Sequence, residues 1–448
     1  MAKANTETMK AIKAGALEII KILKSNGFQA YLVGGCIRDS LLGKEAGEWD
    51  ITTSAKPDAV MKLFEKVVPT GVEYGTVTVI LPDGQYEVTT FRSDERYLDG
   101  RHPANVKFTS DIHQDLSRRD FTINALAYDP EKGLLIDDFN GQKDLKDKLI
   151  RTVGSAVERF SEDGLRPVRA CRFAAKLEFE IEKDTFAAIS QALAVVKKVA
   201  PERIHDEIVK MLAADKPSIG FELMRRSGLL RLVMPELEDC YAVEQPPQFH
   251  KYDVYWHSLY SCDAAPRDNY QLRLAALLHD IGKPKCKVGY TFYNHDQAGV
   301  EMAGEILRRL KFSNDDIRKV TNLIGNHMFD YSSEWSDAAV RRFIRRADGV
   351  ENVKDLFILR RSDAKAMEQE IGSEYLSELQ SRIDKIIAEE NALHVKDLKV
   401  DGNDVMNILK IGPGPKVGQV LNDLLEKALD DPALNERETL LEIIKGYE

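Results

Sequence analysis

The sequence predicts an α+β fold, in which a small mixed α/β head is followed by helices. Runs rich in β-branched or aromatic residues indicate strands, and they lie in the first third of the chain, at 30–34, 49–53, 75–81, 85–92 and 121–127. The dipeptide Asp83-Gly84 between the third and fourth runs is typical of a hairpin turn. From Ser155 onward strand patterns almost vanish, so we expect the head to end near Ile150.

Helical spacing appears before and after the strand-rich region. Residues 7–26 predict an amphipathic helix, because apolar positions recur four, three and four residues apart, at Ile12, Ala16, Ile19 and Leu23. The stretch 364–396 predicts long charged helices. The sequence Gly412-Pro413-Gly414-Pro415 predicts a break between two helical pieces near the C-terminus, because glycine and proline disfavour helix interiors.

The composition limits the class of protein. With 448 residues, 43% of them hydrophobic, the chain is long enough for roughly three domains with buried cores. Five cysteines without a C-x-x-C pair argue against a disulfide framework or a zinc ribbon. No apolar run reaches the roughly 18 residues of a membrane span, and no signal peptide is apparent, so we expect a cytoplasmic protein without a membrane partner. The net charge of −10 argues weakly against nucleic acid as a partner, unless a local basic stripe compensates.

Two carboxylates in one extended segment predict a metal site. Glu48 and Asp50 are two residues apart, so in a strand their side chains point to the same face. Paired carboxylates repel each other unless a cation lies between them, and Mg²⁺ prefers oxygen ligands. Glu87, in a second predicted strand, would add a third carboxylate if the two strands are neighbours. Alone, Glu87 is more typical of a solvated residue on a half-exposed strand.

A glycine pair just before this segment suggests a phosphate site. Gly34 and Gly35 join a predicted strand to a predicted helix, where backbone N–H groups can face a phosphate. Arg38, one turn into that helix, could reach a triphosphate oxygen. Taken alone, two adjacent glycines are more typical of an ordinary strand–helix turn. A phosphate cradle beside a two-metal site favours nucleotidyl transfer.

A basic ridge follows the head. Arg166, Arg169 and Arg172 recur every three residues and therefore share one helix face, with Pro167 acceptable in the first turn. The segment from Arg151 to Lys176 contains six Lys or Arg against three Asp or Glu, which offsets the acidic average of the chain. Periodicity alone does not distinguish a phosphate clamp from a solvated charged face.

Four motifs in chain order resemble a known family. They are Leu32-Val33-Gly34-Gly35-x-x-Arg38-Asp39 with Glu48-x-Asp50-Ile51-x-Thr53, then Arg118-Arg119-Asp120-Phe121-Thr122-Ile123-Asn124-Ala125-Leu126, then Asp138-x-x-Gly141-x-x-Asp144-Leu145, and then Glu162-Asp163-x-x-Arg166-x-x-Arg169-x-x-Arg172-Phe173. The set resembles class II tRNA nucleotidyltransferases, the bacterial CCA-adding enzymes, which share the polymerase-β superfamily with bacterial poly(A) polymerases. One departure is Glu48, where the family usually has aspartate. Glutamate keeps the charge and both oxygens, so we expect metal binding to survive.

The resemblance implies an activity, with roles for single residues. It implies template-independent addition of C, C and A to the 3′ end of tRNA from CTP and ATP. Glu48 and Asp50 would hold two Mg²⁺ ions with Glu87 assisting, while Asp163 and Arg166 would read the base edge. The triphosphate would be positioned by Gly35, Arg38, Arg119, Arg169 and Arg172. An Asp–Arg pair suits C and A, because both carry an exocyclic amino donor.

Three alternatives remain open. A poly(A) polymerase shares the head motifs, and a partial enzyme would add only CC or only A. The chain could also act chiefly as a phosphohydrolase whose nucleotidyltransferase head is catalytically inactive. The stretch Arg92-x-Asp94-x-x-x-x-x-Gly100-Arg101-His102-Pro103 resembles a loop that helps the family switch from C to A addition, and it weakly favours the full repertoire.

A second metal site is predicted downstream. Leu277-Leu278-His279-Asp280-Ile281-Gly282-Lys283 carries the adjacent His–Asp pair of the HD phosphohydrolase superfamily. The remaining candidate ligands are His257, His295, His327 and Asp363. Imidazole favours transition metals such as Ni, Mn or Fe over Mg²⁺, and the number of ligands suits one ion or two. The resemblance implies hydrolysis of phosphoesters, including 2′,3′-cyclic phosphates, although a structural remnant is an alternative.

These patterns predict a division into four domains. They are a polymerase-β-like nucleotidyltransferase head (1–150), a helical neck and body for nucleotide selection (151–250), an HD metal domain (251–370) and a helical tRNA-binding tail (371–448). The tail assignment depends on the glycine-rich turns after Val400, which resemble the tRNA-binding tail of the same family. An ordinary helical hairpin is the alternative.

Overall fold

The computed structural model describes residues 12–94, 106–248, 251–368, 373–389 and 392–447. The chain divides into two units, Met1–Pro235 and Glu236–Glu448, which we call unit 1 and unit 2. Strands lie only in unit 1 within the described residues, and helices predominate elsewhere, so the predicted α+β class is confirmed. In these ranges no helix has both the length and the hydropathy that a membrane span requires.

The strands of unit 1 are β1 (Ala30–Val33), β2 (Asp50–Thr53), β3 (Val67–Gly71), β4 (Thr76–Leu81), β5 (Gly84–Thr90), β6 (Arg92–Asp94), β7 (Val106–Phe108), β8 (Ala127–Asp129), β9 (Leu134–Ile136), β10 (Leu149–Ile150) and β11 (Glu180–Ile181). Seven strands form one sheet in the order β3-β4-β5-β2-β1-β8-β9. Within it β2 and β5 are parallel and the other neighbours are antiparallel. Because Ile51 pairs with Val88, Asp50 and Glu87 lie at matching positions on neighbouring strands.

The helices of unit 1 are α1 (Ala14–Ser25), α2 (Gly35–Leu41), α3 (Pro57–Leu63), α4 (Ile112–Ser117), α5 (Gly141–Asp147), α6 (Ala156–Glu162), α7 (Arg166–Leu177), α8 (Lys183–Gln191), α9 (Leu193–Val196), α10 (Pro201–Leu212), α11 (Pro217–Ser227) and α12 (Leu229–Val233), and α13 (Pro235–Glu238) follows at the boundary. Helix α1 buries Ala16, Ile19 and Leu23, as its periodicity predicts, whereas Ile12 precedes the helix and residues 7–11 lie outside the described residues. Helix α7 packs against α10 and α11, and Pro167 lies in its first turn, as expected.

Four of the five predicted strands are confirmed, and so is the hairpin between β4 and β5. The fifth, 121–127, is wrong: Thr122–Asn124 is a 3₁₀ turn and the strand begins only at Ala127. Polar contacts override the β-branched composition there, because the Thr122 hydroxyl donates to Asp144 and the Asn124 amide donates to Asp120. Strands β3, β7, β9, β10 and β11 were not predicted. β3 lies at the edge of the sheet and contains proline, which weakens a strand pattern, and the other four have only two or three residues.

Unit 2 is helical in its described residues. Its helices are α14 (Val254–Ala264), α15 (Tyr270–Leu278), α16 (Lys283–Cys286), α17 (His295–Arg309), α18 (Asn314–Asn326), α19 (Asp337–Arg346), α20 (Val350–Ala366), α21 (Ser373–Ala388), α22 (Gly402–Leu409), α23 (Pro415–Asp430) and α24 (Arg437–Lys445). Helices α14, α15, α18 and α20 pack together. The predicted break at 412–415 is confirmed, since it separates α22 from α23. A separate apolar cluster between Ala392 and Ile444 joins α22, α23 and α24.

Candidate active site and candidate metal centre

One cavity of about 820 Å³ in unit 1 brings together every residue that the sequence predicts for nucleotidyl transfer, from the predicted head and neck. We call it the head cavity. Strands β2 and β5 contribute its acidic side, helices α2, α7 and α10 its basic side. The predicted residues that line it are Glu48, Asp50, Glu87, Gly35, Arg38, Arg119, Asp163, Arg166, Arg169 and Arg172. Residues 95–105, which include most of the predicted C-to-A switch loop, lie outside the described residues.

Three carboxylates form the acidic side of the head cavity. Asp50 begins β2, whereas Glu48 lies just before that strand rather than within it. Glu87 is exposed on β5, between buried Tyr86 and Val88. Burial raises the pKa of Asp50 to about 6, and the negative charges of Glu87 and then Glu48 add to this effect. The carboxylates therefore repel one another and need a cation to share.

This donor set fits a hard divalent cation. The three side chains offer only oxygen ligands. The charges of Glu87 and Glu48 add a local excess of negative charge, opposed by Arg119, to the burial that chiefly raises the pKa of Asp50. A divalent ion among these oxygens would reverse that excess and keep Asp50 ionised at neutral pH. Mg²⁺ is bound in this way, through one or two carboxylates together with phosphate oxygens.

Gly34 is required by the backbone at this point. Its φ is +78°, a conformation that side chains with a Cβ rarely adopt, and it directly precedes α2. A Cβ there would lie 3.3 Å from Arg119 Nη1 and 3.8 Å from Asp50 Oδ2. The glycine therefore lets the chain turn beside the acidic group, and Gly35 then begins α2.

Two arginines near this turn are held by acidic or amide partners. Arg38 is 3% exposed, donates to Asn124 Oδ1 at 2.7 Å, and forms a two-point contact with Asp39. Arg119 donates to Asp115 Oδ2 at 3.2 Å. Burial would raise the pKa of Asp115, but the charges of Arg118 and Arg119 outweigh it and keep the pKa below its ordinary value. Both cations therefore have fixed positions beside the carboxylates.

The arginines of α7 are held from two sides. Arg169 makes a two-point contact with Asp120 Oδ2, at 3.0 and 2.7 Å, and Arg172 Nε donates to Glu207. Burial would raise the pKa of Asp120, but the charge and hydrogen bonds of Arg169 lower it to about 2. The guanidinium groups of Arg172, Arg38 and Arg169 also lie 4.0, 5.2 and 5.4 Å from the ring centre of Phe173. One buried aromatic ring thus packs against three cations.

The two predicted base-reading side chains are each bound to other groups. Asp163 accepts from both Nη atoms of Arg203, at 3.1 and 2.9 Å, and from the backbone N–H of Leu165. Arg166 donates to the Glu162 carboxylate and to the backbone carbonyls of Arg159 and Arg118.

Sequence reasoning missed several partners of these residues. Asp120, Asn124 and Phe173 stand in the sequence motifs without a predicted role, and Arg203 and Glu207 lie outside those motifs. A signal for the last two exists, since Arg203, Glu207 and Lys210 are four and three residues apart and share one face of α10. Their spacing does not reveal which side chains they contact.

In unit 2 the six predicted ligands converge on one buried cluster, which we call the metal centre: His257, His279, Asp280, His295, His327 and Asp363. His257 lies on α14, Asp363 on α20 and His295 at the start of α17, while His279 and His327 directly follow α15 and α18. The ligand atoms of two groups, His257–His279–Asp280 and Asp280–His295–His327, lie within 4.8 Å of one another. The four histidines and Asp280 are at most 8% exposed.

Asp280 belongs to both groups through different oxygens. Its Oδ2 lies 3.6 Å from His257 Nε2 and 3.3 Å from His279 Nε2, whereas its Oδ1 lies 3.4 Å from His295 Nε2 and 3.9 Å from His327 Nε2. Asp363 Oδ1 lies 2.9 Å from His257 Nε2 and so extends the first group. The geometry offers two ligand sets joined by one carboxylate.

Backbone carbonyls fix three of these imidazoles. The Nδ1 atoms of His279, His295 and His327 lie 2.8, 2.8 and 2.6 Å from the carbonyl oxygens of Ala276, Phe292 and Ile324. A proton on Nδ1 satisfies each contact and leaves Nε2 as the ligand atom. Lys283 in turn donates to Asp280 Oδ2 at 2.6 Å and to Gln245 Oε1 at 2.7 Å. Neither Lys283 nor Gln245 was given a role from the sequence.

The protonation states at this cluster suit metal binding. Burial, and then the charge of His279, lower the pKa of His327 to about 4. Burial would raise the pKa of Asp363, but its hydrogen bond to His257 and the nearby histidines lower it to about 2. His279 differs: burial lowers its pKa, but the charge of Asp280 outweighs this and raises it. A metal at His279 Nε2 would compete with a proton there.

Three family models match parts of this chain. Residues 30–151 match the Poly A polymerase head domain, residues 178–241 the probable RNA and SrmB-binding site of polymerase A, and residues 293–444 domain 2 of tRNA nucleotidyltransferase. The CCA-adding enzyme of Enterococcus faecalis is 32% identical over 96% of this chain and 95% of its own length. The one from Ligilactobacillus salivarius is 34% identical with the same coverage.

A solved structure is similar over nearly the whole length. The crystal structure of the Bacillus stearothermophilus CCA-adding enzyme in complex with CTP has a TM-score of 0.74 and 28% identity, and covers 97% of this chain and 98% of its own. With two relatives above 30% identity over almost their full length, and with the ten head residues gathered in one cavity, the chain belongs to the family of CCA-adding enzymes.

Proposed function

We propose that this chain adds C, C and A to the 3′ end of tRNA in the cytoplasm, using CTP and ATP, without a nucleic-acid template and with release of pyrophosphate. The observation that carries the proposal is the head cavity, where three carboxylates face a set of fixed arginines. The relatives named CCA-adding enzyme support the same activity, and the B. stearothermophilus enzyme was solved with CTP.

The acidic side of the cavity would carry the chemistry. Glu48 and Asp50 would hold Mg²⁺. When bound, Mg²⁺ would lower the pKa of the ribose 3′-hydroxyl and neutralise the charge on the pyrophosphate leaving group. Glu87 lies beside Asp50 on the neighbouring strand and would assist in holding the acidic group or in accepting the hydroxyl proton.

The basic side would bind and select the nucleotide. Gly35, Arg38, Arg119, Arg169 and Arg172 would position the triphosphate. Acidic partners partly neutralise the arginines, which would allow pyrophosphate to dissociate after each addition. Asp163 would accept from the exocyclic amino group of C or A, and Arg166 would donate to a ring nitrogen or carbonyl. The protein side chains would then take the place of a template.

Nucleotide incorporation into tRNA that lacks its 3′ end tests this proposal. CTP alone should add two residues, CTP with ATP should add three and then stop, and UTP or GTP should add none. Continued addition of A would instead indicate a poly(A) polymerase. Extension that ends after CC in the presence of ATP, or that requires a tRNA already ending in CC, would indicate a partial enzyme.

The metal centre supports a second candidate function, metal-dependent hydrolysis of phosphoesters. The Nε2 atoms of three imidazoles lie 3.3, 3.4 and 3.9 Å from the carboxylate oxygens of Asp280. A transition metal such as Ni, Mn or Fe would supply an activated water there when bound. A cavity of about 580 Å³ opens beside the cluster, and Lys283 and Arg360 in its wall would bind a phosphate group.

Metal content and hydrolysis together test the second function. The purified protein should contain a transition metal, and it should hydrolyse 2′,3′-cyclic AMP in the presence of Ni²⁺, Mn²⁺ or Fe²⁺. A protein that binds the metal but leaves this substrate and p-nitrophenyl phosphate intact would reduce the centre to a structural role.

A further inference from the structure

Helix α10 lines the head cavity although no motif identified it. Arg203, Glu207 and Lys210 lie on one face of the helix, and Lys210 reaches the cavity wall together with Ala213 and Ala214. Glu207 holds arginines that would bind the triphosphate. Arg203, one turn earlier, contacts a different group, the carboxylate of Asp163.

Arg203 fixes the plane of that carboxylate. Nη1 donates to Oδ1 at 3.1 Å and Nη2 donates to Oδ2 at 2.9 Å, a two-point contact between a planar guanidinium and a planar carboxylate. The backbone N–H of Leu165 adds a third hydrogen bond, to Oδ1, at 3.0 Å. Two of the three hydrogen bonds that orient Asp163 therefore come from Arg203.

Arg166 is fixed by separate contacts. Three of its N–H groups donate to Glu162, Arg159 and Arg118, which leaves two of the five N–H groups of a guanidinium for a base. The orientation of Arg166 does not depend on Arg203, so a change at Arg203 would affect Asp163 alone.

We propose that Arg203 is a specificity-determining positioning residue, which holds Asp163 so that its carboxylate accepts from the amino group of C or A. This inference depends on the proposed function. U and G carry a carbonyl oxygen where C and A carry the amino group, so a fixed carboxylate at that point attracts the correct bases and repels the wrong ones. A carboxylate free to rotate could turn away from the carbonyl, and the discrimination would shrink.

The fold of α10 does not depend on this contact. Ile204, Ile208, Met211 and Leu212 bury its apolar face, and Glu207 joins the helix to α7. Loss of the two-point contact between Arg203 and Asp163 should therefore leave α10 in place. The matched control is Arg225, which forms a similar two-point contact with Glu222 on α11, at 2.8 and 2.8 Å, and does not line the cavity.

The test is single-nucleotide addition to tRNA lacking its CCA end, with the ratio of kcat/KM for CTP over UTP as the readout. Arg203→Gln should lower this ratio about tenfold or more. Arg203→Lys, which keeps the charge but not the planar fork, should lower it by a smaller factor. Arg225→Gln should leave it unchanged. In an Asp163→Asn background, Arg203→Gln should cause no further loss, because Arg203 acts through Asp163.

The possible failures are distinguishable. If the unaltered protein does not prefer CTP over UTP, the proposed function fails. If it does, and Arg203→Gln and Arg203→Lys both keep the ratio within about twofold, the inference is overturned. A ratio that falls equally in the Asp163→Asn background would also overturn it, since Arg203 would then act by another route. If Arg203→Gln does not fold, Arg203→Lys decides.

Discussion

The head cavity and the metal centre both gather charged side chains, but they hold them differently. In the head cavity Glu48 and Glu87 are exposed, and the arginines are held by other charged groups and by an aromatic ring. In the metal centre the ligands are almost fully buried, and backbone carbonyls orient the imidazoles. A site built from exposed carboxylates and paired arginines can exchange ions and nucleotides. Buried imidazoles that backbone carbonyls orient are suited to a metal that stays bound. The two clusters should therefore respond differently to mutation.

Asp50→Asn should have the largest effect. Loss of a shared metal ligand removes several kcal/mol of charge stabilisation from the transition state, so nucleotide incorporation should fall by about a thousandfold. The transition-metal content of the protein should not change. Steady-state incorporation of CTP into tRNA lacking its CCA end measures the first quantity, and elemental analysis measures the second. Incorporation within about tenfold of the unaltered protein would mean that Asp50 is not a ligand in the reaction.

Asp280→Asn should have the reverse effect. Because Asp280 lies in both ligand groups, its loss should lower metal affinity about a hundredfold and remove phosphoester hydrolysis with it. CTP and ATP incorporation should stay unchanged. Elemental analysis after dialysis against a weak chelator reports the metal. If metal content and hydrolysis both persist, then the cluster in unit 2 does not hold the ion that performs the reaction.

The sequence predicted the residues of both clusters better than their partners. Glu48 and Asp50 are two residues apart and Arg166, Arg169 and Arg172 follow helix spacing, so pattern alone indicates that each set shares a face. Glu87 joins the carboxylates only through the pairing of β5 with β2. Which residue neutralises each arginine depends on tertiary packing. Glu207 is 35 residues from Arg172 in sequence, and Arg203 is 40 residues from Asp163, so no local pattern joins them.

The failure at 121–127 has the same origin. Its β-branched and aromatic residues predict a strand, but Thr122 and Asn124 hydrogen-bond to Asp144, Asp120 and Arg38, and these contacts hold a tight turn. This turn lies in the second sequence motif and places the Asn124 side chain where Arg38 donates a hydrogen bond to it. A composition that favours a strand was overridden because the side chains have partners elsewhere in the fold.

Asp120→Asn should show how strongly the charge pairs of the head cavity stabilise unit 1. The folded pKa of Asp120, about 2, lies below the ordinary value of 3.8, so the ionised carboxylate stabilises the fold above pH 4. This stabilisation, about 2 kcal/mol, is lost as pH falls through the folded pKa. The variant should therefore have a lower free energy of unfolding at pH 7, and the difference should shrink by about half at pH 3.

Urea unfolding followed by the fluorescence of Trp49 measures this difference for unit 1, in a background where Trp256 and Trp335 are replaced by phenylalanine. Asp206→Asn, at an exposed position of unit 1, is the control and should change the free energy of unfolding by less than about 0.5 kcal/mol at either pH. If the difference between the unaltered protein and the Asp120→Asn variant stays constant with pH, the Asp120 charge is not what stabilises the fold.

Phe173→Leu should have the smallest effect and tests the aromatic part of the head cavity. Leucine keeps the apolar volume but removes the ring face that three guanidinium groups share, a contribution of about 1 kcal/mol. The arginines keep their acidic partners, so they should be less well ordered rather than lost. KM for CTP and for ATP should then rise together, about fivefold, with kcat and the CTP-to-UTP ratio nearly unchanged.

Phe186→Leu is the matched control, because Arg226 lies 5.3 Å from the centre of that ring outside the cavity. Within the described residues, the cations near the Phe173 ring are Arg38, Arg169 and Arg172, which belong to the triphosphate-binding part of the cavity. An altered CTP-to-UTP ratio in Phe173→Leu would therefore contradict the division of the cavity into a triphosphate-binding part and a base-reading part. An equal rise in KM in the control would contradict it as well.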